Sequence, residues 1–326
     1  MKEKSIRDNH KIANFLMGNK APIILIILCI AASLISPVFL TSRNLINVLR
    51  QVAVSSVLGI GYTLVMTSGN LDLSVGSMLG MLGVIMGLLS VRGLPFGLVL
   101  VIGMAFGALC GFLNGFIGMK LKLPLFIVTL AQGQVYKGVC FLLSNNSPVN
   151  GLQDQFKWIG QGYVFHIPVP IYITLFCCLI MSVLLGNTRF GRQVIATGGN
   201  REAALVSGIN VSRLTIFVYM IVGMFVSVAA MIMNGRAFSA QPTAGTGMEM
   251  DAIAAVVIGG TSMSGGNPNV VGTIFGCVIV GVISNILNLT GVDSNWQHVV
   301  KGLMILTAVA LDTISSRMIT ARMIKR

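Results

Sequence analysis

Apolar residues in this chain come in long unbroken blocks separated by short polar interruptions, neither alternating as in a strand nor striping one face of a helix. The blocks cover residues 21–40, 44–67, 73–90, 94–117, 123–143, 167–185, 214–233, 270–287 and 298–311, with a shorter one at 250–258. Most approach or pass the roughly 20 residues that a helix needs to cross the hydrocarbon of a bilayer. Only helices and closed barrels satisfy their backbone hydrogen bonds there, and blocks this uniform do not suit alternating barrel strands. The pattern therefore predicts an all-α, polytopic helical membrane bundle of about ten transmembrane segments. The block at 250–258 is too short to cross alone and needs help from its neighbours. Pro168 and Pro170 open the sixth block, where a first helical turn tolerates them.

Composition agrees. Hydrophobic residues make up 55% and charged residues 10%, against roughly 45–50% with glycine included and about 25% in an ordinary soluble chain. The mean hydropathy is +0.87. A net charge of +13 suggests nucleic acid in a soluble protein, but in a membrane protein it is read loop by loop. With the N-terminus inside, fifteen Lys and Arg fall in cytoplasmic segments. Six fall on the other side (Arg43, Arg50, Arg92, Lys157, Arg236 and Lys301), and Lys137 lies within a span. The positive-inside rule then puts both termini and the loop 189–211 in the cytoplasm, which an even number of spans permits. The expected organisation is a cytoplasmic segment over 1–20, a transmembrane domain over 21–315 and a basic cytoplasmic tail over 316–326. The first block is longer than a cleavable signal requires and reads as a retained span. The six cysteines lie in apolar stretches without a C-x-x-C pair, and the three histidines (His10, His166, His298) are scattered, so neither a disulfide framework nor a metal site is expected.

The most charged interior stretch is 189–211, RFGRQVIATGGNREAALVSGINV. Asn200 can cap a short helix, Glu202 sits where the helix dipole favours an anion, and Gly208 suits a left-handed C′ position. These bracket a helix of about two turns. Its small Ala203-Ala204 centre fits either a capped surface helix or one on which a partner docks closely.

Two glycine-rich interruptions, SGNLDLSVGS at 68–77 and GGTSMSGGNP at 259–268, fall one in each half. Paired breaks of this kind mark inverted-repeat transporters, where irregular backbone at membrane depth lines a path. Asn70, Asp72 and Ser74 in the first and Thr261, Ser264 and Asn267 in the second are then the expected path residues. The competing reading is two tight cytoplasmic turns, with Asp72 as a helix cap. Glu249 and Asp251 stand at the mouth of the short block, either lining an entrance or solvated at the interface.

These residues carry a resemblance. SGNLDLSVGS (68–77), FKWIGQGYVFHIPVP (156–170), GRQVIATGGNREAALVSGINV (191–211) and IAAVVIGGTSMSGGNPNVVGTIFGC (253–277) occur in order over most of the chain. With them the chain resembles the membrane permease subunits of bacterial ribose-type sugar ABC importers, those for ribose, allose, xylose and galactose. The resemblance implies an inner-membrane permease that pairs with a second copy, surrounded by lipid. It is fed by a periplasmic sugar-binding protein and driven by ATP-binding subunits that hold the ATP and magnesium. Asn200, Arg201, Glu202, Ala203, Ala204, Ser207 and Gly208 would form the coupling helix that touches the ATP-binding subunit. Two departures stand out: TLAQGQ at 129–134, where related permeases more often continue T-L-G-T, and Lys137, where they commonly carry arginine. Sugar preference therefore does not carry over from the family if that span lines the path.

The chain lacks G-x-x-x-x-G-K-[ST], so a phosphate-cradling loop for ATP must lie on another chain. No nucleophile, base and oxyanion group share a polar site, which leaves an intramembrane enzyme unsupported, and no cofactor or nucleic acid is expected. An ATP-independent secondary transporter or facilitator is the main alternative. Ion-coupled carriers place carboxylates inside the bilayer, whereas Asp72, Glu249, Asp251 and Asp312 are expected at span ends.

Overall fold

The fold, taken from a computed structural model, is described for residues 20–293, 295–297, 299–307 and 309–310. The N-terminal segment, His10, His298, Asp312 and the basic tail lie outside the described residues. Helices α1 (Lys20–Ile35), α2 (Ser42–Thr67), α3 (Val75–Val91), α4 (Phe96–Leu121) and α5 (Leu125–Ser144) form the first half. A short helix α6 (Asp154–Gln161) and a two-strand hairpin, β1 (Tyr163–Val164) with β2 (Ile167–Pro168), lead into α7 (Val169–Asn187). Then come α8 (Arg189–Gly199), α9 (Arg201–Val206), α10 (Val211–Ala237), α11 (Met248–Ile258) and α12 (Val270–Leu289). Residues 299–307 are helical as well. Among the described residues, each apolar block thus coincides with a helix. Six of these (α2, α4, α5, α7, α10 and α12) are long and apolar enough to cross a membrane, and the molecule is an all-α membrane bundle.

Large apolar side chains are exposed along α1, α4, α5 and α7, among them Ile27, Val101, Leu130 and Leu179, as lipid contact requires. The interior is built on α2, where every residue from Val52 to Thr67 except Ser55 is buried. Close helix approach there rests on small residues rather than on hydrophobic burial, since lipid tails are as apolar as leucine. A Cβ on Gly107 or Gly111 of α4 would run into the α10 backbone at Gly223 or Tyr219. The same holds where Gly276 of α12 meets the Ala255 carbonyl of α11.

The short block at 250–258 is completed by the chain before it. After α10 ends at Phe238 in a left-handed conformation, residues 239–247 do not leave the bundle. Ala240 packs on Gly87 of α3, the Pro242 carbonyl on Gly80 and the Gly245 carbonyl on Gly76. That descent from Gly87 to Gly76 covers about 16 Å, and the eleven residues of α11 add about 16 Å more. Together they match the hydrocarbon thickness of about 30 Å. A half built of successive turns and a helical half therefore lie end to end where a single helix was expected to lean on its neighbours.

This corrects the pairing of interruptions read from the sequence. The stretches 68–77 and 259–268 meet at one end of the bundle, where the Gly266 N–H donates to the Thr67 carbonyl at 2.8 Å. The segment that matches 68–74 in position, between a long helix and a shorter buried one, is 239–247.

The chain between α2 and α3 also turns inward. Ser74 lies against Gly133, eight residues into α5, and so about 12 Å from that helix's start. Asp72 beside it is wholly buried, and its Oδ1 accepts from the Ser74 N–H at 2.8 Å and the Ser74 hydroxyl at 2.6 Å. Asn114 of α4 donates to Ser74 Oγ at 2.8 Å and accepts from Tyr136 Oη of α5 at 2.9 Å. Tyr62 and Tyr219 hold the neighbouring backbone at Asp72 N and Leu71 O. Asp72 thus starts α3 from two positions upstream of its N-cap, Ser74, whose own side chain makes no capping bond. Asp72→Ala would strand several of these donors, each at about 1–3 kcal/mol when buried. We expect a thermal midpoint in detergent lower by several degrees, with Asp72→Asn intermediate because its amide oxygen still accepts. An Ala variant melting with the wild type would rule out this role.

Candidate functional site

Three polar features stand out in the bundle. The first is the 189–211 stretch. Thr188 caps α8 by accepting from the Gly191 N–H at 3.0 Å, and Asn200 caps α9 by accepting from the Ala203 N–H at 2.9 Å. The Ser207 hydroxyl donates to the Ala203 carbonyl at 2.8 Å, and Gly208 follows with φ +81°. The caps read from the sequence are formed, around a helix of six residues. Its two alanines differ: Ala203 is exposed, while Ala204 is only 3% exposed and faces the body. The outward surface is Arg201, Glu202, Ala203, Leu205 and Val206, the last 90% exposed. Beside it opens a groove of about 690 Å³, lined by Arg201 and Leu205, by Lys122 of the α4–α5 turn and Phe126 at the start of α5, and by Gly69 and Asn70.

The second feature is a backbone junction immediately before this helix. A Cβ on Gly198 would overlap the Thr67 carbonyl and the Gly266 nitrogen, and one on Gly265 would crowd both Gly198 and Gly69. Both interruptions therefore rest directly on the end of α8, and only glycine admits that approach. Thr261 is buried and accepts from the Asn269 N–H at 3.0 Å. Ser264 and Asn267 are exposed at the same end, and Asn70 is half-buried with its amide on Ser68.

The third feature is a cavity of about 150 Å³ between the start of α3, the middle of α5 and residues 242–250. Its polar lining is Ser77, Gln134, Lys137, Thr246 and Glu249. The Glu249 carboxylate lies over Gly76, where a Cβ would displace it. Gln134 was visible in the sequence only as a departure from a related pattern and Lys137 as such a departure within a span, and nothing in one dimension placed them opposite Glu249.

At the far end of the bundle, Arg50 donates to the Gln161 carbonyl and stacks 4.8 Å from the Tyr163 ring. Lys157 lies 5.6 Å from the Phe238 ring, and Val149 pairs with Ala240. Away from that end, Lys301 forms a 2.8 Å ion pair with Asp251, in the first turn of α11. Arg50 and Lys157, expected on one side of the membrane, thus lie at the opposite end from the glycine junction, expected on the other.

Comparison with known proteins places this architecture. Residues 44–309 match a family described as the permease component of branched-chain amino acid transport systems. The chain belongs to this permease family. It is 41% identical over 317 residues to the ribose import permease protein of Bacillus subtilis (strain 168), covering 96% of this chain and 98% of that one. The ribose import permease protein of Escherichia coli (strain K12) is 41% identical over 302 residues, covering 91% and 94%. The fructose import permease protein of Rhizobium meliloti is 36% identical over 317 residues, covering 93% and 88%. No solved structure matches the chain.

The permease is thus a multi-pass transporter component rather than an enzyme. Its glycine junction makes a sharp stability prediction. Gly198→Ala should cost about 1–3 kcal/mol by overpacking two backbones, whereas Gly199→Ala, which meets open space, should be nearly neutral. Thermal unfolding of the two variants in detergent checks this, and equal midpoints would contradict it.

Proposed function

We propose that the permease is the membrane subunit of an ATP-driven importer that carries a monosaccharide across the bacterial inner membrane. The observation that carries this reading is the end-to-end similarity to permeases named for sugar import, along nearly the full length of both chains. The family description names a permease component of a transport system, which favours a multi-subunit importer over a lone facilitator. In this reading two ATP-binding subunits hold ATP and magnesium, a periplasmic binding protein delivers the sugar, and a second copy of the permease completes the path.

The proposed topology has ten spans with both termini in the cytoplasm. Eight apolar helices, the composite span 239–258 and the helical residues over 299–307 supply them. The halves are inverted in this proposal. Packing of α4 along α10 and of α12 along α2 supports that, as does the equivalent place of 68–74 and 239–247. The α9 surface with its adjoining groove is the proposed contact for the ATP-binding subunit, and the junction at Gly198 carries its movement to both interruptions. Asn70, Ser264 and Asn267 then face the cytoplasmic mouth of the path, while Asp72, Ser74 and Thr261 hold its walls.

Uptake by the reconstituted importer tests the coupling surface. Ala203→Trp should insert at wild-type level and lower uptake by about tenfold or more, since a partner must approach within contact distance and a lost hot-spot contact is worth at least 1.4 kcal/mol. Normal uptake at normal protein level would remove α9 from the interface. Topology is checked by cysteine labelling in intact cells: position 154 should react with an impermeant reagent and position 200 should not.

A further inference from the structure

Lys137 and Gln134 sit in the middle of an apolar helix yet are exposed on the single chain. Lys137 is twelve residues from the start of α5 and seven from its end, which places its Cα about 10 Å or more from either terminus. An ammonium at that depth does not face hydrocarbon; such groups line water-filled cavities or protein. Among the described residues Lys137 has no ion-pair partner, the one salt bridge being Lys301–Asp251 at 2.8 Å. What it shares instead is the 150 Å³ cavity with Glu249, Gln134, Ser77 and Thr246.

That cavity lies where a helix begins in mid-bundle. Gly247, with φ +79°, leads the preceding run of turns into α11, and Glu249 is in the first turn. Discontinuous spans of this kind place helix ends and unwound backbone at the substrate. The volume is about ten times the ~10–15 Å³ that holds one water, room for a single small solute and no more. One ammonium and one carboxylate balance each other, so the lining as a whole carries no net charge. It offers donors from Lys137, acceptors from Glu249 and both from Gln134, Ser77 and Thr246. A carboxylate that accepts from two adjacent hydroxyls, flanked by amide and ammonium donors, matches a neutral polyhydroxylated ring.

We propose that this cavity is the transient binding site for the transported sugar, with Glu249 and Lys137 gripping ring hydroxyls and Gln134 setting which sugar passes. The assignment rests on the sugar-import reading above. The competing occupant is an amino-acid zwitterion, whose two charges could also span Lys137 and Glu249.

The test uses the whole importer, permease with its ATP-binding and solute-binding subunits, in proteoliposomes. Uptake of ribose, fructose and leucine by the wild type comes first. Lys137→Met and Glu249→Gln should each cut sugar uptake by about tenfold, equivalent to one lost contact of ~1.4 kcal/mol. ATP hydrolysis stimulated by the loaded binding protein should persist, which shows that the variants fold and couple. Independently, Gln134→Cys in a cysteine-free background should react with a small polar thiol reagent several-fold more slowly in the presence of the transported sugar. Wild-type uptake in both variants, or labelling at position 134 indifferent to a sugar the importer carries, would overturn the site while leaving the sugar reading intact. Wild-type uptake of leucine and of no sugar would overturn that reading and this assignment with it.

Discussion

Inside the hydrocarbon a peptide group has no water to bond to, so every departure from helix must be satisfied by protein. This permease departs twice at depth, at 68–74 and at 239–247, and the packing around both follows from that requirement. The first is lined by side chains that replace water, with Tyr62, Asn114, Thr129 and Tyr219 aimed at backbone or at Asp72. The second is pressed against the glycine face of α3 and tied to the end of the bundle away from the glycine junction through the Val149–Ala240 pair. Buried polar groups that are this fully partnered specify one arrangement, because any alternative strands a donor at membrane depth.

Glycine has two different uses here. Along α4, α10 and α12 it brings helices close enough for dispersion to act over many atoms. At Gly69, Gly198 and Gly265 it removes side chains altogether, so that the backbones of three segments touch. Interfaces packed this tightly shift between discrete arrangements rather than deforming gradually. A contact that joins the end of α8 to both interruptions is therefore suited to passing on an all-or-none change.

Hydropathy is a one-dimensional signal, and what depends on it was legible: the apolar blocks became helices, and Pro168 and Pro170 fell at the start of α7. Local chemistry was legible too, since Asn200 and Gly208 act within a few residues of themselves. Contacts between distant segments were not. Asp72 meets Asn114 and Lys137 shares a cavity with Glu249 only after the chain has folded, so no spacing rule reaches them. The stretch 239–247 was missed because it is built of turns, mixed in polarity and framed by helices. Ala204 was read as surface with Ala203 because two adjacent small residues look alike until the helix has a direction.

The composite span also bears on how the protein enters the bilayer. Its first half, a run of turns, carries Gln241, Thr243 and Thr246 and bonds only some of its peptide groups within itself. It cannot partition into lipid as an independent segment. The surface that receives it, Gly76, Gly80 and Gly87 of α3, belongs to a helix synthesised well before it. Integration of the second half therefore waits on a template laid down by the first, and the ribosome's direction becomes part of the folding order.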